Sequence, residues 1–192
     1  MQENQNKCEQ EFDFALVLDC AHCELTEELE NSLYDAGCDD ATISILYGAV
    51  VLEFSRIATS FKDAILSAFA DVEKAGCRVA RIDTCNLVTQ AEIARRVNRS
   101  RETIRQYISG DRGPGGFPPP VCYLREDKPL WQWCAVGSWL VQNNMIRQEV
   151  LDEALIIDII NMSLEISHHR EGRPELVAEL TDAIMNGGCC PD

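Results

Sequence analysis

One central segment constrains the fold more than any other, because it combines two short helical patterns, a tight polar turn and a loop of glycine and proline. Its sequence is LVTQAEIARRVNRSRETIRQYISGDRGPGGFP. Thr89 is a good N-cap and predicts a first helix over Gln90–Val97. Asn98 and Arg99 form the turn, since asparagine tolerates left-handed backbone. This pattern predicts a helix, a tight turn, a second helix and then an irregular loop.

The second helix has equally clear ends. Ser100 is its N-cap, the helical pattern covers Arg101–Ser109, and Gly110 ends it. Ile104 and Ile108 are expected to form its buried stripe. The side chains expected to face outward, near its N-terminal end, are Ser100, Arg101, Thr103, Arg105 and Gln106.

The chemistry of this outward set favours double-stranded DNA as a partner. Arginine binds guanine through two hydrogen bonds, glutamine binds adenine, and hydroxyls donate to phosphate or bases. A recognition helix presents its N-terminal residues to the major groove. We therefore predict DNA contacts from this set and from Thr89, Gln90 and Arg99, with a purely structural helical hairpin as the alternative.

The following loop and two short strands predict a wing. Val121–Tyr123 and Pro129–Trp131 are expected to pair around a turn. Arg112, Arg125 and Lys128 would then be available for phosphate. A short helix should follow over Trp133–Val141, and the predicted core residues of this segment are Trp131, Trp133, Val136, Trp139 and Leu140.

The central region resembles the winged helix-turn-helix of the MerR superfamily, especially its small excisionase and AlpA-like members. The residues that carry the resemblance are AEIARRVNRSRETIRQYI, GDRGPGGFPPPV and PLWQWCAVGSWL. In that family the second helix binds the major groove and the wing touches the DNA backbone. The resemblance implies that Arg101, Thr103, Arg105 and Gln106 face the bases, and that residues 87–143 form one domain.

The preceding region, residues 12–84, is predicted to be an α+β domain of the ferredoxin-like kind. Its patterns alternate as strand, helix, strand, strand, helix, strand. No glycine-rich phosphate loop and no paired histidine and carboxylate motif is present in it, so we expect no enzyme activity and no cofactor. An assembly or sensor role is expected, with a small-molecule or protein effector. Thr26 is predicted to cap the first helix and Ser60 the second. The predicted elements are Phe12–Leu18, the capped helix Thr26–Ala36, Ala41–Leu46, Ala49–Phe54, the helix Phe61–Ala75 and Arg78–Ile82.

The C-terminal region, residues 145–186, is predicted to be a pair of helices. The first covers Arg147–His169 and is apolar on more than one face, so it should be buried beneath another domain or in a subunit interface. Glu171–Pro174 should break it, and Pro174 should open the last helix. Residues 1–11 and 187–192 are expected to be disordered tails.

The charge distribution separates the central region from the rest. The chain has a net charge of −15, yet residues 87–142 hold eight Lys or Arg against five Asp or Glu. Because an acidic protein is repelled by DNA, a local basic patch favours a specific contact that is dimeric or assisted by a partner, and we expect a homodimer on an operator. The alternative is a protein-interaction module whose acidic surface mimics DNA or captures a basic partner.

Cysteine usage and hydropathy bear on the compartment. The ten cysteines are scattered, and Cys20 and Cys23 form a single C-x-x-C pair, where a zinc site needs four ligands. We therefore predict no metal and keep a redox or metal sensor as a weaker alternative. There is no long apolar run and no apolar leader, so we expect a cytoplasmic protein without a membrane span.

Overall fold

The computed structural model describes residues 9–19, 25–126 and 128–185, and these residues form a mixed α+β structure. They divide into two compact units. The sheet unit contains the chain up to Asp83 and again from Ile159 onward, and the central unit contains Thr84–Asp158. The two C-terminal helices therefore do not cluster as a unit of their own.

The sheet unit contains a four-stranded antiparallel sheet with two helices between its strands. The spatial order of the strands is β2-β3-β1-β4, so the two longest strands lie at the centre. β1 begins earlier than predicted and β3 extends beyond Phe54. The elements are β1 Gln10–Leu18, α1 Glu27–Ala36, β2 Ala41–Leu46, β3 Ala49–Ala58, α2 Phe61–Lys74 and β4 Val79–Ile82.

Local sequence accounts for the helix ends of this unit. The Thr26 hydroxyl accepts a hydrogen bond from the Leu29 amide at 3.2 Å, and Ser60 accepts one from Asp63 at 3.1 Å. Both N-caps were predicted and both are confirmed. The C-terminal ends of the helices cap each other. The Ser32 hydroxyl donates to the Ala75 carbonyl at 3.1 Å, and Lys74 Nζ donates to the Ala36 carbonyl at 3.1 Å.

A buried arginine holds the two helix ends against the sheet. Arg56 on β3 is 6% exposed, and its five hydrogen bonds match its five N–H donors. It donates to both carboxylate oxygens of Asp40 at 2.8 Å and to Asp71 at 2.7 Å. The other acceptors are the Gly37 carbonyl at 2.8 Å and the Ser67 hydroxyl at 3.2 Å. This cluster, the Arg56 network, is fully paired and therefore structural.

The central unit is built around a core of aromatic residues. Its members include the side chains of Ile93, Ile104 and Tyr107 and all three tryptophans. The predicted burial of Trp131, Trp133 and Trp139 is confirmed. The elements are β5 Leu87–Val88, α3 Gln90–Arg96, α4 Arg101–Ser109, β6 Trp131–Gln132, α5 Trp133–Gln142 and the first part of α6, Gln148–Gly172.

The C-terminal helices are more exposed than predicted. Leu151 is the buried residue of α6, whereas Ile159, Met162 and Ile166 are about half exposed, and α7 (Pro174–Met185) buries nothing among the described residues. Of the two predicted alternatives, burial beneath another domain is therefore wrong for the second part of α6, and burial in a subunit interface stays a prediction. One side of this part contacts β4 through Asn161 and Ile82, and no described residue covers its other side.

Some predictions concern residues outside the described part of the chain. These are residues 1–8 of the first predicted tail, the whole of the second, 187–192, and the Cys20–Cys23 pair. The prediction of a disordered tail over residues 1–11 is wrong at Gln10 and Glu11, which belong to β1. Among the described residues, no helix has the length and apolar character needed to cross a lipid bilayer.

Candidate nucleic-acid interface

The two central helices and their turn have the predicted caps and dihedral angles. The Thr89 hydroxyl accepts a hydrogen bond from the Glu92 amide at 3.2 Å, and Ser100 accepts one from Thr103 at 3.1 Å. Asn98 has φ 49° in the turn, and Gly110 has φ 78° after α4. Four local signals in the sequence therefore determine where α3 and α4 begin and end.

The buried face of α4 differs from the prediction at one position. Ile104 is fully buried, but Ile108 is 36% exposed, and Tyr107 takes its place in the core. Tyr107 lies against Trp139 with ring centroids 5.4 Å apart. A large aromatic ring three residues after Ile104 reaches the core more fully than isoleucine does four residues after it.

The loop after α4 is attached to the core by aromatic contacts. A Cβ atom added to Gly113 would lie 3.0 Å from the Tyr107 ring, so only glycine fits there without displacing the ring. Trp139 Nε1 donates to the Gly115 carbonyl at 2.8 Å. The Phe117 ring lies edge-on to Trp139 at 5.0 Å. These contacts fix the path of a loop that has no regular secondary structure.

The predicted wing is smaller than the sequence indicated. Among the described residues of the wing, the pairing between its two arms is a single bridge, Cys122 with Leu130. Trp131 does not pair with the first arm, because it forms β6 and pairs with Val88 of β5. The expectation of two three-residue strands is therefore wrong. The indole nitrogen of Trp131 bonds to the Pro118 carbonyl at 3.1 Å, which directs this residue into the core.

The outward face of α4 carries two arginines in different states. Arg101 and Arg105 are four residues apart and both exposed. Arg105 forms an ion pair with Glu102 at 2.7 Å and lies 3.8 Å from Asp111. This hydrogen bond lowers the pKa of Glu102 and raises that of Arg105. No ion pair engages Arg101 within the described ranges.

Several predicted contact residues lie together at the N-terminal end of α4. Gln90 Nε2 donates to the Arg101 carbonyl at 2.8 Å, which joins the start of α3 to the start of α4. The Thr103 hydroxyl bonds to the Ser100 hydroxyl at 2.9 Å. Ser100 and Thr103 thus have capping partners, while Arg101 extends into solvent beside the positive end of the helix dipole.

The other predicted residues are distributed around this end. Arg99 is exposed in the turn before α4. Arg112 is held near the other end of α4, because its amide donates to the Gln106 carbonyl at 3.2 Å. Gln106 itself bonds to Glu102 at 3.3 Å. Arg125 and Lys128 lie between the two arms of the small wing, and among the described residues no hydrogen bond or ion pair joins them to α4.

The structure adds a group on α3 that sequence reasoning missed. Glu92 accepts hydrogen bonds from Arg95 and Arg96, and these bonds lower the pKa of its carboxyl from 4.5 to about 2. Arg96 also lies over the Trp133 ring, 5.0 Å from its centroid. The signal was present as acid and base residues three and four positions apart on a helix. Arg95 remains largely exposed.

The described cysteines and acidic residues do not assemble a metal site. Within the described ranges no group of three or more His, Cys, Asp or Glu side chains is placed to hold an ion. Burial raises the pKa of the Cys134 thiol to about 11, so it stays protonated near neutral pH. Cys134 is therefore an inert part of α5.

Comparisons with protein-family models, with curated proteins and with solved structures found no match.

Proposed function

We propose that this chain is a sequence-specific DNA-binding transcriptional regulator that acts as a dimer on an operator. In this proposal the central unit is a winged helix-turn-helix of the MerR-like kind, and α4 is its recognition helix. The sheet unit, with its β2-β3-β1-β4 order, is a ferredoxin-like assembly or sensor module. The protein would act in the cytoplasm.

The state of Arg101 is the observation that carries the proposal. Ile104 and Tyr107 anchor the opposite side of α4 in the core, so the exposed side of the helix has a fixed direction. Arg101 lies at the first position of α4, without an acidic partner among the described residues. Its donors are therefore available to a phosphate or a base edge without breaking an existing ion pair.

The surroundings of Arg101 support an anionic partner. Arg99 precedes it in the turn, and Arg105 follows it one helical turn later. The single nearby carboxylate on α4, Glu102, is already paired with Arg105. If Arg99, Arg101, Arg105 and Arg112 each neutralised one phosphate, the logarithm of the binding constant would fall with log salt at a slope of about −3 to −4 per copy.

Selection from a random duplex pool followed by fluorescence anisotropy tests the proposal. We expect an enriched sequence, a steep salt dependence, and about a tenfold or greater loss of affinity in Arg101→Ala. Arg81→Ala is the matched control, because it removes an exposed arginine from the sheet unit. The protein-interaction alternative predicts no duplex binding even at low salt, and that result would overturn the proposal.

A further inference from the structure

The apolar side chains left exposed after Ile159 follow a heptad pattern. Counting from Ile159 as position a, positions a and d hold Ile159, Met162, Ile166, Leu176, Leu180 and Ala183, with His169 and Arg173 in the middle. The five large ones are all between 43% and 57% exposed. This 4-3 spacing is the signature of a seam between two helices, and we call it the heptad face.

The spacing keeps its phase in the sequence across the junction between α6 and α7, but the helix ends there, as predicted. α6 ends at Gly172 and α7 begins at Pro174. The Arg173 amide makes the last bond of α6, to the His169 carbonyl at 2.8 Å, and the Arg173 carbonyl makes the first bond of α7, from the Val177 amide at 3.2 Å. Pro174, which has no N–H donor, takes the first position of α7. The heptad face therefore has two parts, one on α6 from Ile159 to His169 and one on α7.

The opposite side of α6 is already occupied by the chain's own sheet. Asn161, at position c, accepts a hydrogen bond from the Ile82 amide at 2.8 Å and donates to the Ile82 carbonyl at 3.0 Å. Glu171, at position f, pairs with Arg78. Positions c and f lie across the helix from a and d. The second part of α6 thus has one face for its own sheet and one uncovered face.

We propose that the heptad face pairs with the same face of a second copy of this chain in a parallel two-stranded coiled coil. Isoleucine at a, as in Ile159 and Ile166, favours two strands. In the parallel arrangement, Glu165 at position g faces Arg170 at position e of the other copy, and the pair forms twice. Within the described residues Arg170 has no ion pair of its own. An antiparallel arrangement centred on the same face brings Glu165 near Glu179 of the other copy instead.

The inference deepens the dimer in the proposed function, and its test uses no DNA, so either can fail without the other. The full chain is examined by sedimentation equilibrium. We expect a mass twice the 21.5 kDa of one chain at high concentration. A wild-type chain that stays monomeric over the whole concentration range would overturn the inference.

Charge substitutions locate the interface. Ile166→Lys should raise the dimer dissociation constant about a hundredfold, because each dimer would bury two unpaired ammonium groups. Ile57→Lys is the matched control, since Ile57 is 67% exposed on β3 of the same unit. Met185→Lys, at position f, controls for α7. Both controls should dimerise like the wild type, and circular dichroism should show that all three variants fold. An unchanged dimer dissociation constant in Ile166→Lys would show that the heptad face is not the dimer interface.

Two further variants test the register and the orientation. Glu165→Arg should weaken a parallel dimer by placing two arginines together, whereas a tighter dimer would overturn the parallel orientation. His169→Leu fills a polar d position and should lower the dissociation constant about tenfold. An unchanged constant in His169→Leu would contradict the assigned register.

Discussion

The two units of this protein use arginine in opposite ways. In the sheet unit, Arg56 is buried and each of its donors has a partner. Its hydrogen bonds hold β3, α2 and the loop before β2 together. In the central unit, Arg101 is exposed and has no acidic partner in the described part of the chain. The buried, fully paired Arg56 is therefore structural, whereas the recognition role that we propose for Arg101 depends on its donors being available.

The largest expected effect comes from breaking the paired arginine. Arg56→Ala should lower the free energy of unfolding of the sheet unit by about 3–5 kcal/mol, because Asp40, Asp71 and the Gly37 carbonyl lose their donors. Urea denaturation followed by circular dichroism measures this loss. Arg81→Ala, which breaks an exposed pair with Asp83, should change it by less than about 0.5 kcal/mol. Equal losses would show that the Arg56 network is not special.

The next effect concerns the loop that the central unit holds with aromatic contacts. Gly113→Ala should destabilise the unit by about 2 kcal/mol, since φ is +89° and the new Cβ would lie 3.0 Å from the Tyr107 ring. Gly116→Ala shares the positive φ but meets nothing within 4 Å, so it should cost about 1 kcal/mol. Thermal unfolding monitored by tryptophan fluorescence compares them. If the two substitutions destabilise the unit equally, the contact between residue 113 and Tyr107 does not restrain the loop.

The smallest effect is a pH dependence in the central unit. The Glu92 pKa is lowered to about 2 by its two arginine partners, so the folded state prefers the charged carboxylate. This contribution is complete above the unfolded pKa and is lost as the pH falls through about 2. Glu92→Gln should therefore lower the free energy of unfolding of the central unit by about 1 kcal/mol at pH 6. The difference from the wild type should shrink towards zero near pH 2, as followed by chemical denaturation. A difference that is independent of pH would contradict this explanation.

Local signals predicted much of the fold because each one acts over a few residues. Thr26, Ser60, Thr89 and Ser100 are all N-caps as predicted, and Gly110 follows α4 in left-handed backbone. Caps and turns depend on the neighbouring amides and require no knowledge of the tertiary structure. This is why the boundaries of α1, α3 and α4 follow closely from the sequence.

Tertiary competition decided the features that the sequence did not predict. Trp131 could pair with the first arm of the wing or with Val88, and burial of its ring favours the second choice. Tyr107 and Ile108 compete for one core position, which depends on where Trp139 lies. Arg56 lies beyond the predicted end of its strand at Phe54, and its partners Asp40 and Asp71 are distant from it in sequence. These outcomes depend on packing partners that a one-dimensional pattern does not contain.

The candidate site was partly predictable for the same reason. The helical period placed Arg101 and Arg105 on the outward side of α4, and the structure shows both exposed. It did not indicate that Arg105 is paired with Glu102 while Arg101 is not, because rotamers and ion pairs are set by side-chain geometry. Arg105 is exposed like Arg101 but paired like Arg56, so in pairing and exposure it lies between the other two arginines.

Amide chemical-shift mapping can show whether the N-terminal end of α4 contacts duplex DNA, as we propose. The full chain is titrated with the duplex selected from a random pool, and the shifts of residues 99–106 are compared with those around Arg56. We expect the largest changes at Ser100, Arg101 and Arg105 and little change in the Arg56 network. Changes confined to the sheet unit, with none along α4, would overturn the proposed DNA interface.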